Sequence, residues 1–331
     1  MRSRPTMKDV AIAAHVSLKT VSRVVNGEPG VTPSTEQQVR EAISTLGFRR
    51  NDSARLLRTG QAATVGLVLE DIGDPFYSAL SRGVEGDARA HGSLLITGSS
   101  DADPATERML ALTLCARRVD GLIIVPTNSD HEFLAQEMTA GVPVVFADRP
   151  PGGIDADTVL SDNAGGAATG TAHLIAGDHR RIGYIGDDRD IFTARERYQG
   201  YRSAMSAAGL PVAACWVAMG VPTTAGVQGA LEHMLAGQEP VTAIFCGNNR
   251  VSVLALHVLA ALRHTVAMVG FDDFELADLL GITVIAQDTA ELGRQAAELL
   301  FQRLGGDNPP AHRIVIPTRL IRRGSGESPP A

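Results

Sequence analysis

From residue 64 onward, short continuous apolar runs alternate with stretches whose apolar residues recur every three to four positions. The runs Thr64 to Leu69, Leu94 to Gly98, Gly121 to Val125, Val142 to Ala147, Arg181 to Gly186, Thr242 to Cys246 and Val266 to Phe271 have the length and β-branched content of buried strands. Between them, Phe76 to His91, Pro104 to Arg117, Asn163 to Ala176, Ala194 to Ala208 and Arg250 to Leu262 carry a helical period. Strand and helix in strict alternation predict parallel βαβ units with both sheet faces covered. A short strand gives way to a new series of units near Ser161 and Asp162, which predicts two similar lobes. Polar or Gly/Pro-rich loops such as Asp71 to Pro75, Pro126 to Asp130 and Asp272 to Asp273 follow the strands, and open α/β sheets bind ligands at that edge.

The first sixty residues show no strand alternation. Thr6, with Asp9 three positions on, predicts an imperfect capping box for a helix whose apolar side is Val10, Ala11 and Ala14. After a turn at Ala14 to Val16, Ser17 caps a second helix, Leu18 to Val25. Thr32 and Pro33 start a third, Ser34 to Leu46, with Val39, Ile43 and Leu46 inward. Two short helices joined by a tight turn and braced by a third make a helix-turn-helix.

Charge sharpens this division. The net charge of −7 is the sum of a +5 head, with ten Lys or Arg against five acids in residues 1–60, and a −12 remainder. A basic end on an acidic body concentrates attraction for phosphate at one place. No apolar stretch approaches the roughly 18 residues of a membrane span, and the N-terminal stretch lacks the apolar centre of a secretory signal, so a cytoplasmic protein without a membrane partner is expected. Cys115, Cys215 and Cys246 have neither CxxC nor ligand spacing and are expected to be small apolar core residues. No HExxH, GxSxG or P-loop occurs, His131-Glu132 lacks a second histidine, and Gly165 to Gly170 has the wrong spacing for a dinucleotide fingerprint. Neither an enzyme nor a cofactor is expected.

The run Thr6-Met7-Lys8-Asp9-Val10-Ala11, followed by Val16-Ser17-Leu18-Lys19-Thr20-Val21-Ser22-Arg23-Val24-Val25-Asn26, resembles the DNA-binding head of the lactose-repressor (LacI) family. The resemblance implies that Leu18, Lys19 and Arg23 face base edges, while Ser17, Thr20, Ser22 and Asn26 suit phosphate contact. It also puts Thr6, Thr32, Asn51 and Arg55 among the DNA-contacting positions. The segment Asn51-Asp52-Ser53-Ala54-Arg55-Leu56-Leu57 resembles the family's hinge helix, with Ala54 in the minor groove and Leu57 as the wedge between base steps. His15 stands where the family usually has Gly, and Arg50 where it usually has Pro.

From Thr64 to about Leu320 the chain resembles the family's periplasmic-binding-protein-like core. The landmarks are Asp74-Pro75-Phe76, Arg118 to Ile124, Asp148-Arg149, Gly247-Asn248-Asn249, Val269 to Asp273 and Gln287-Asp288. The resemblance implies an effector site formed by Phe76, Asp148, Arg149, Arg197, Asn248, Asp272 and Gln287, with Phe76 stacking on a sugar ring and the polar groups dividing its hydroxyls. Plainer roles compete. Asp74 and Pro75 also make a helix start, Asp148 with Arg149 a local ion pair, and either Arg195 or Arg197 a solvated side chain. Asn249 replaces the family's usual Asp, and the connection from Ala261 to Val266 is short.

The expected architecture is an all-α helix-turn-helix head (1–48), a hinge (49–60) and an α/β core of two doubly wound parallel-sheet lobes (61–325). The first lobe spans about 61–161 plus 290–320, and the second about 162–289. The expected function is a homodimeric repressor of near-palindromic double-stranded operator DNA, controlled by a small molecule, a sugar, between the lobes. A periplasmic-type sugar-binding protein without a DNA role fits the body but has no use for the basic head. The tail after Leu320 has no leucine heptads, so no tetramer helix is expected.

Overall fold

The computed structural model describes residues 5–48, 62–127, 130–236, 239–306 and 309–330. Asn51, Ala54, Arg55 and Leu57 lie outside the described residues. The chain divides into two units, Met1–Ala62 and Ala63–Ala331.

In the first unit α1 (Met7–Ala13), α2 (Leu18–Asn26) and α3 (Pro33–Leu46) enclose Val10, Ala14, Val21, Val39, Ala42 and Phe48. The capping box at Thr6 is complete: its hydroxyl accepts from Asp9 N and its own N–H donates to Asp9 Oδ2. Ser17 and Thr32 cap α2 and α3 in the same way, each accepting from the N–H three residues on. His15 has φ +49°, so the turn between α1 and α2 demands the left-handed conformation that glycine adopts freely and that histidine can still enter.

The second unit holds two six-stranded sheets. In the first, β1 (Thr64–Leu69), β2 (Leu94–Ser99), β3 (Gly121–Ile124), β4 (Val144–Ala147), β5 (Asp157–Ser161) and β11 (Arg313–Ile316) lie in the order β11-β5-β4-β3-β1-β2. In the second, β6 (Ile182–Gly186), β7 (Val217–Met219), β8 (Ala243–Cys246), β9 (Ala267–Phe271), β10 (Thr283–Ala286) and β12 (Arg319–Ile321) lie in the order β12-β10-β9-β8-β6-β7. Each strand of one sheet has a counterpart at the same position in the other. One difference is that β11 joins β5 in parallel while β12 joins β10 antiparallel. The chain passes between lobes three times, after β5, after β10 and between β11 and β12. The return of residues 319–321 to the second sheet ends the first lobe near residue 316, earlier than the 320 read from sequence, because only two residues separate β11 from β12.

Helices α4 (Pro75–Ala90), α5 (Pro104–Ala116), α6 (Ala135–Thr139) and α11 (Thr289–Leu304) cover the first sheet. Helices α7 (Asn163–Ala176), α8 (Phe192–Ala207), α9 (Thr224–Ala236) and α10 (Asn249–Leu262) cover the second. One helix pair in each lobe packs backbone to backbone. A Cβ on Gly83 of α4 would sit 2.1 Å from the Ala290 carbonyl of α11, and one on Gly200 of α8 would sit 2.1 Å from the Ala164 carbonyl of α7.

Cys115 and Cys246 are buried as expected, and burial pushes the Cys246 thiol up to about 12. Cys215 is exposed: in the short turn Ala214–Trp216 it is Trp216 that turns inward and Cys215 that faces out. The tail folds back onto the second lobe, where Glu327 pairs with His173 at 2.8 Å and accepts from Thr283, and Ser325 donates to the Met268 carbonyl.

The two helix crossings have no room for a methyl group, so Gly83→Ala and Gly200→Ala should each lower unfolding free energy by about 1–3 kcal/mol or more. Urea titration followed by circular dichroism checks this, and an unchanged midpoint in either variant would contradict the close packing.

Candidate functional site: a charged cleft between two lobes

At the carboxyl ends of β4 and β9, counterparts in the two sheets, sit Asp148 and Asp272, with φ of +68° and +70°. Both are buried, and each sends its N–H to the next strand, Asp148 to Val159 O and Asp272 to Ile285 O. A non-glycine residue held left-handed at a buried strand end is kept there by its surroundings, and such strain clusters at functional sites. Between them opens a cleft lined by residues of both lobes.

On the first lobe, Arg149 lies at the centre of a network. Its Nη2 donates to Glu70 Oε2 at 2.9 Å and to Tyr77 Oη at 3.0 Å, its Nη1 donates to the Pro126 carbonyl at 3.0 Å, and its Nε is 3.4 Å from Asp148 Oδ2. The local pair anticipated for Asp148 and Arg149 is therefore present, but it is one contact among four. Burial pushes the Glu70 carboxyl up, yet Arg149, the Tyr77 hydroxyl and Arg250 outweigh it and hold the group below its ordinary value. Burial dominates at Asp148 and raises it, against Arg149 and Arg197 and with Asp272 and Glu70 adding to the rise. Asp148 Oδ1 has no hydrogen-bond partner among the described residues.

The loop carrying Arg149 is pinned from behind. His131, noted in sequence beside Glu132, pairs instead with Glu107 of α5 at 3.1 Å, both fully buried. Glu107 also accepts from Thr127 N, and Gly152 N donates to His131 Nδ1. These bonds tie the loops after β3 and β4 together.

On the second lobe, Arg197 projects from α8 and lies 4.0 Å over the Phe271 ring. Its Nε donates to Asn163 Oδ1 at 2.7 Å, and its Nη1 to the Gly247 carbonyl at 2.8 Å and to Asp272 Oδ2 at 3.3 Å. Arg195 instead binds the Arg189 and Asp190 carbonyls at the surface, and Asp273 is taken by Arg323. Asn248 caps α10 by accepting from Val251 N and donates to Asp187 Oδ2 at 2.9 Å. Burial raises Asp187, while the N–H of Asp188 works against the rise.

Six of the seven residues proposed from sequence line this cleft: Phe76, Asp148, Arg149, Arg197, Asn248 and Asp272. Gln287 is not among the lining residues; it donates to Asp272 Oδ1, and its own Oε1 has no hydrogen-bond partner among the described residues. Sequence reasoning missed Glu70, Asp187 and Arg250, and took Asp74 as a helix cap alone. Glu70 and Asp187 each follow a buried strand at its carboxyl end, a signal the sequence does carry. Among the described residues no group of three or more His, Cys, Asp or Glu could hold a metal ion.

In the head, Leu18 and Lys19 are exposed on α2, while Arg23 is half-buried, one guanidinium nitrogen lying 3.5 Å from where a Cβ of Gly30 would be. Asn26 donates to Ser22 and to Glu28, and the Ser17 and Thr20 hydroxyls meet at 2.8 Å. The outward side of α2 thus carries Lys19 beside the exposed Leu18, with the Ser17 and Thr20 hydroxyls oriented by the cap.

Residues 6–51 match the family described as "Bacterial regulatory proteins, lacI family", and residues 62–324 match "Periplasmic binding proteins and sugar binding domain of LacI family". The chain belongs to the LacI family and is a DNA-binding transcriptional regulator. It is 35% identical to the HTH-type transcriptional regulator CelR of Thermobifida fusca, over 98% of this chain and 99% of that one. A solved CelR–cellobiose complex superposes with a TM-score of 0.72 at 32% identity, covering 97% of this chain and all of the other. The lac repressor dimer bound to operator and an anti-inducer shares the fold, with a TM-score of 0.87 at 23% identity over 98% of this chain and all of that one.

Glu70→Gln should leave Arg149 short of a charge partner and cost roughly 2–4 kcal/mol near neutral pH. Because the Glu70 carboxyl is held below its ordinary 4.5, its contribution is complete above that pH and is lost as pH falls through the lowered value. The parent–variant gap in melting temperature should accordingly shrink as the pH drops below 4.5. Asp148, raised mainly by burial, gives a slope of the opposite sign in both proteins, weaker in the variant because Glu70 adds to the rise. A gap constant from pH 7 to about pH 3 would contradict this role.

Proposed function

We propose that this protein is a cytoplasmic, homodimeric repressor that binds near-palindromic operator DNA through α2, and that a small polyhydroxylated molecule, a sugar, bound between Asp148–Arg149 and Arg197–Asp272 sets its operator affinity. The observation that carries this reading is the cleft itself, in which charged and amide groups from both lobes face one space beside the half-buried ring of Phe76. Such a set matches the alternating donors and acceptors of sugar hydroxyls and penalises any ligand that leaves one unpaired. CelR, bound to cellobiose in its solved complex, supports the choice of a sugar. The relatives are named as regulators, which supports a role in binding and not in catalysis.

A molecule that contacts both lobes favours one relative lobe orientation, and the proposed hinge at 49–60 lies between the proposed core (61–325) and the head (1–48). In that scheme Leu18, Lys19 and Arg23 read bases, with Ser17, Thr20, Ser22 and Asn26 toward phosphate. Thr6, Thr32, Asn51 and Arg55 are further DNA contacts, with Ala54 in the minor groove and Leu57 the wedge between base steps. The exposed Leu94 and Ile96 of the edge strand β2, with exposed Leu276, Leu279 and Leu280 on the second lobe, supply apolar surface for a second copy.

Arg23→Ala should weaken binding to an operator selected from genomic DNA by roughly 1–3 kcal/mol and relax one base position per half-site. Binding that is equally tight and equally selective would remove Arg23 from the readout. Asp272→Asn should keep operator affinity within about threefold when no effector is present and lose the response to it, since its charge partner Arg197 belongs to the same lobe and the exchange does not bias one lobe against the other. Thermal-shift screening of the parent against neutral mono- and disaccharides identifies the ligand, and paired operator titrations then read the response. A full response in Asp272→Asn would place the effector elsewhere.

A further inference from the structure

The first turn of α10 reaches across the cleft. Arg250 Nε donates to Asp74 Oδ2 at 3.1 Å and its Nη1 to Glu70 Oε1 at 3.3 Å, while Asn249 Nδ2 donates to Asp74 Oδ1 at 3.1 Å. Asp74 and Glu70 belong to the first lobe, Asn249 and Arg250 to the second. The two carboxylates are almost entirely buried at the cleft wall, whereas the Arg250 side chain is 41% exposed, as expected of a group at the rim.

The geometry gives the amide of Asn249 a purpose that a carboxylate could not serve. Its Oδ1 accepts from Arg250 N at 2.8 Å, so the remaining end of the side chain, facing Asp74, must donate. Only an amide can do both. An aspartate would satisfy Arg250 N equally well but would set a second carboxylate against Asp74, which already serves as the cap of α4 through Phe76 N.

We propose that Asn249 and Arg250 are positioning residues for the effector response, forming with Asp74 and Glu70 a latch that holds the two lobes together before any ligand binds. The inference rests on the cleft being the effector site. A latch of this kind means that much of the ordering needed for closure is already in place in the free protein, so a ligand bridging the lobes need supply less of it. It also couples these residues to DNA, although they lie far along the chain from the head, because anything that biases lobe orientation biases operator affinity.

The test needs no effector. Hydrogen–deuterium exchange on the ligand-free full-length protein reads the amides lining the cleft, at 71–77, 147–149 and 247–252, against those of β6 and β8 in the sheet centre. In Asn249→Asp and in Arg250→Met the cleft amides should exchange about tenfold faster while the sheet centre is unchanged, and Arg250→Lys, which keeps the charge but not the fork, should fall between. The unmutated chain offers an independent route, since raising salt from about 0.1 to 1 M should speed the same amides by screening the exposed guanidinium. Cleft exchange that stays at the parental rate in both variants and in high salt overturns the latch. Operator affinity measured without effector separates the two claims. A shift of about three- to tenfold in both variants supports latch and coupling together. Faster cleft exchange with unmoved operator affinity supports the latch and refutes the reading that lobe orientation controls DNA binding.

Discussion

Ionised carboxylates cannot be buried at a strand end unless a cation is buried with them, and the cleft is organised around that requirement. Asp148 and Asp272 occupy equivalent places in the two lobes, each in a left-handed conformation and each beside an arginine, Arg149 or Arg197. The arginines come from different parts of the topology. Arg149 follows its aspartate in sequence and must be fixed by Glu70, Tyr77 and the Pro126 carbonyl. Arg197 arrives from a helix and is fixed by Asn163, the Gly247 carbonyl and the face of Phe271. Removing a carboxylate from either set leaves an arginine short of counter-charge, and the neutral partners fix where each guanidinium sits, so the neighbouring loops are held to a narrow range of positions.

The lobes repeat one strand order, and their rigidity follows from helices packed at backbone distance in each, α4 on α11 and α7 on α8. Three short connections join them. Bodies with stiff interiors and short links move as wholes about the links, which is the arrangement a ligand between them can bias. The tail adds to the stiffness of the second lobe through Glu327, whose carboxyl burial would raise but which Thr283 and His173 hold below its ordinary value.

Charge is divided by task along the chain. The head carries the net positive charge that attracts phosphate, and the acidic body keeps nonspecific attraction from spreading beyond it. Within the cleft the arginines are matched to carboxylates, so ligand recognition falls to hydrogen-bond geometry more than to net charge.

Local rules were enough for much of this. Period and caps fixed the three head helices, because Thr6, Ser17 and Thr32 each satisfy an N–H three residues away and need nothing from elsewhere. Apolar runs likewise marked β1 to β4, β6, β8 and β9, among them β2 with its exposed Leu94 and Ile96, while β7, β10, β11 and β12 were not picked out. The polar loops after strands pointed to the cleft, and Phe76, Asp148, Arg149, Arg197, Asn248 and Asp272 meet there. What sequence could not supply is pairing over distance. Asp74 reads as a cap, and it is one, but its second oxygen meets Arg250, 176 residues away. His131 reads as the neighbour of Glu132 and pairs with Glu107. Gln287 reads as a ligand contact, and only the folded chain shows that its amide also holds Asp272. A cap is decided within one turn of helix and is therefore written locally, whereas the partner of a buried charge depends on which strand ends the sheet order brings together, and only the folded chain decides that.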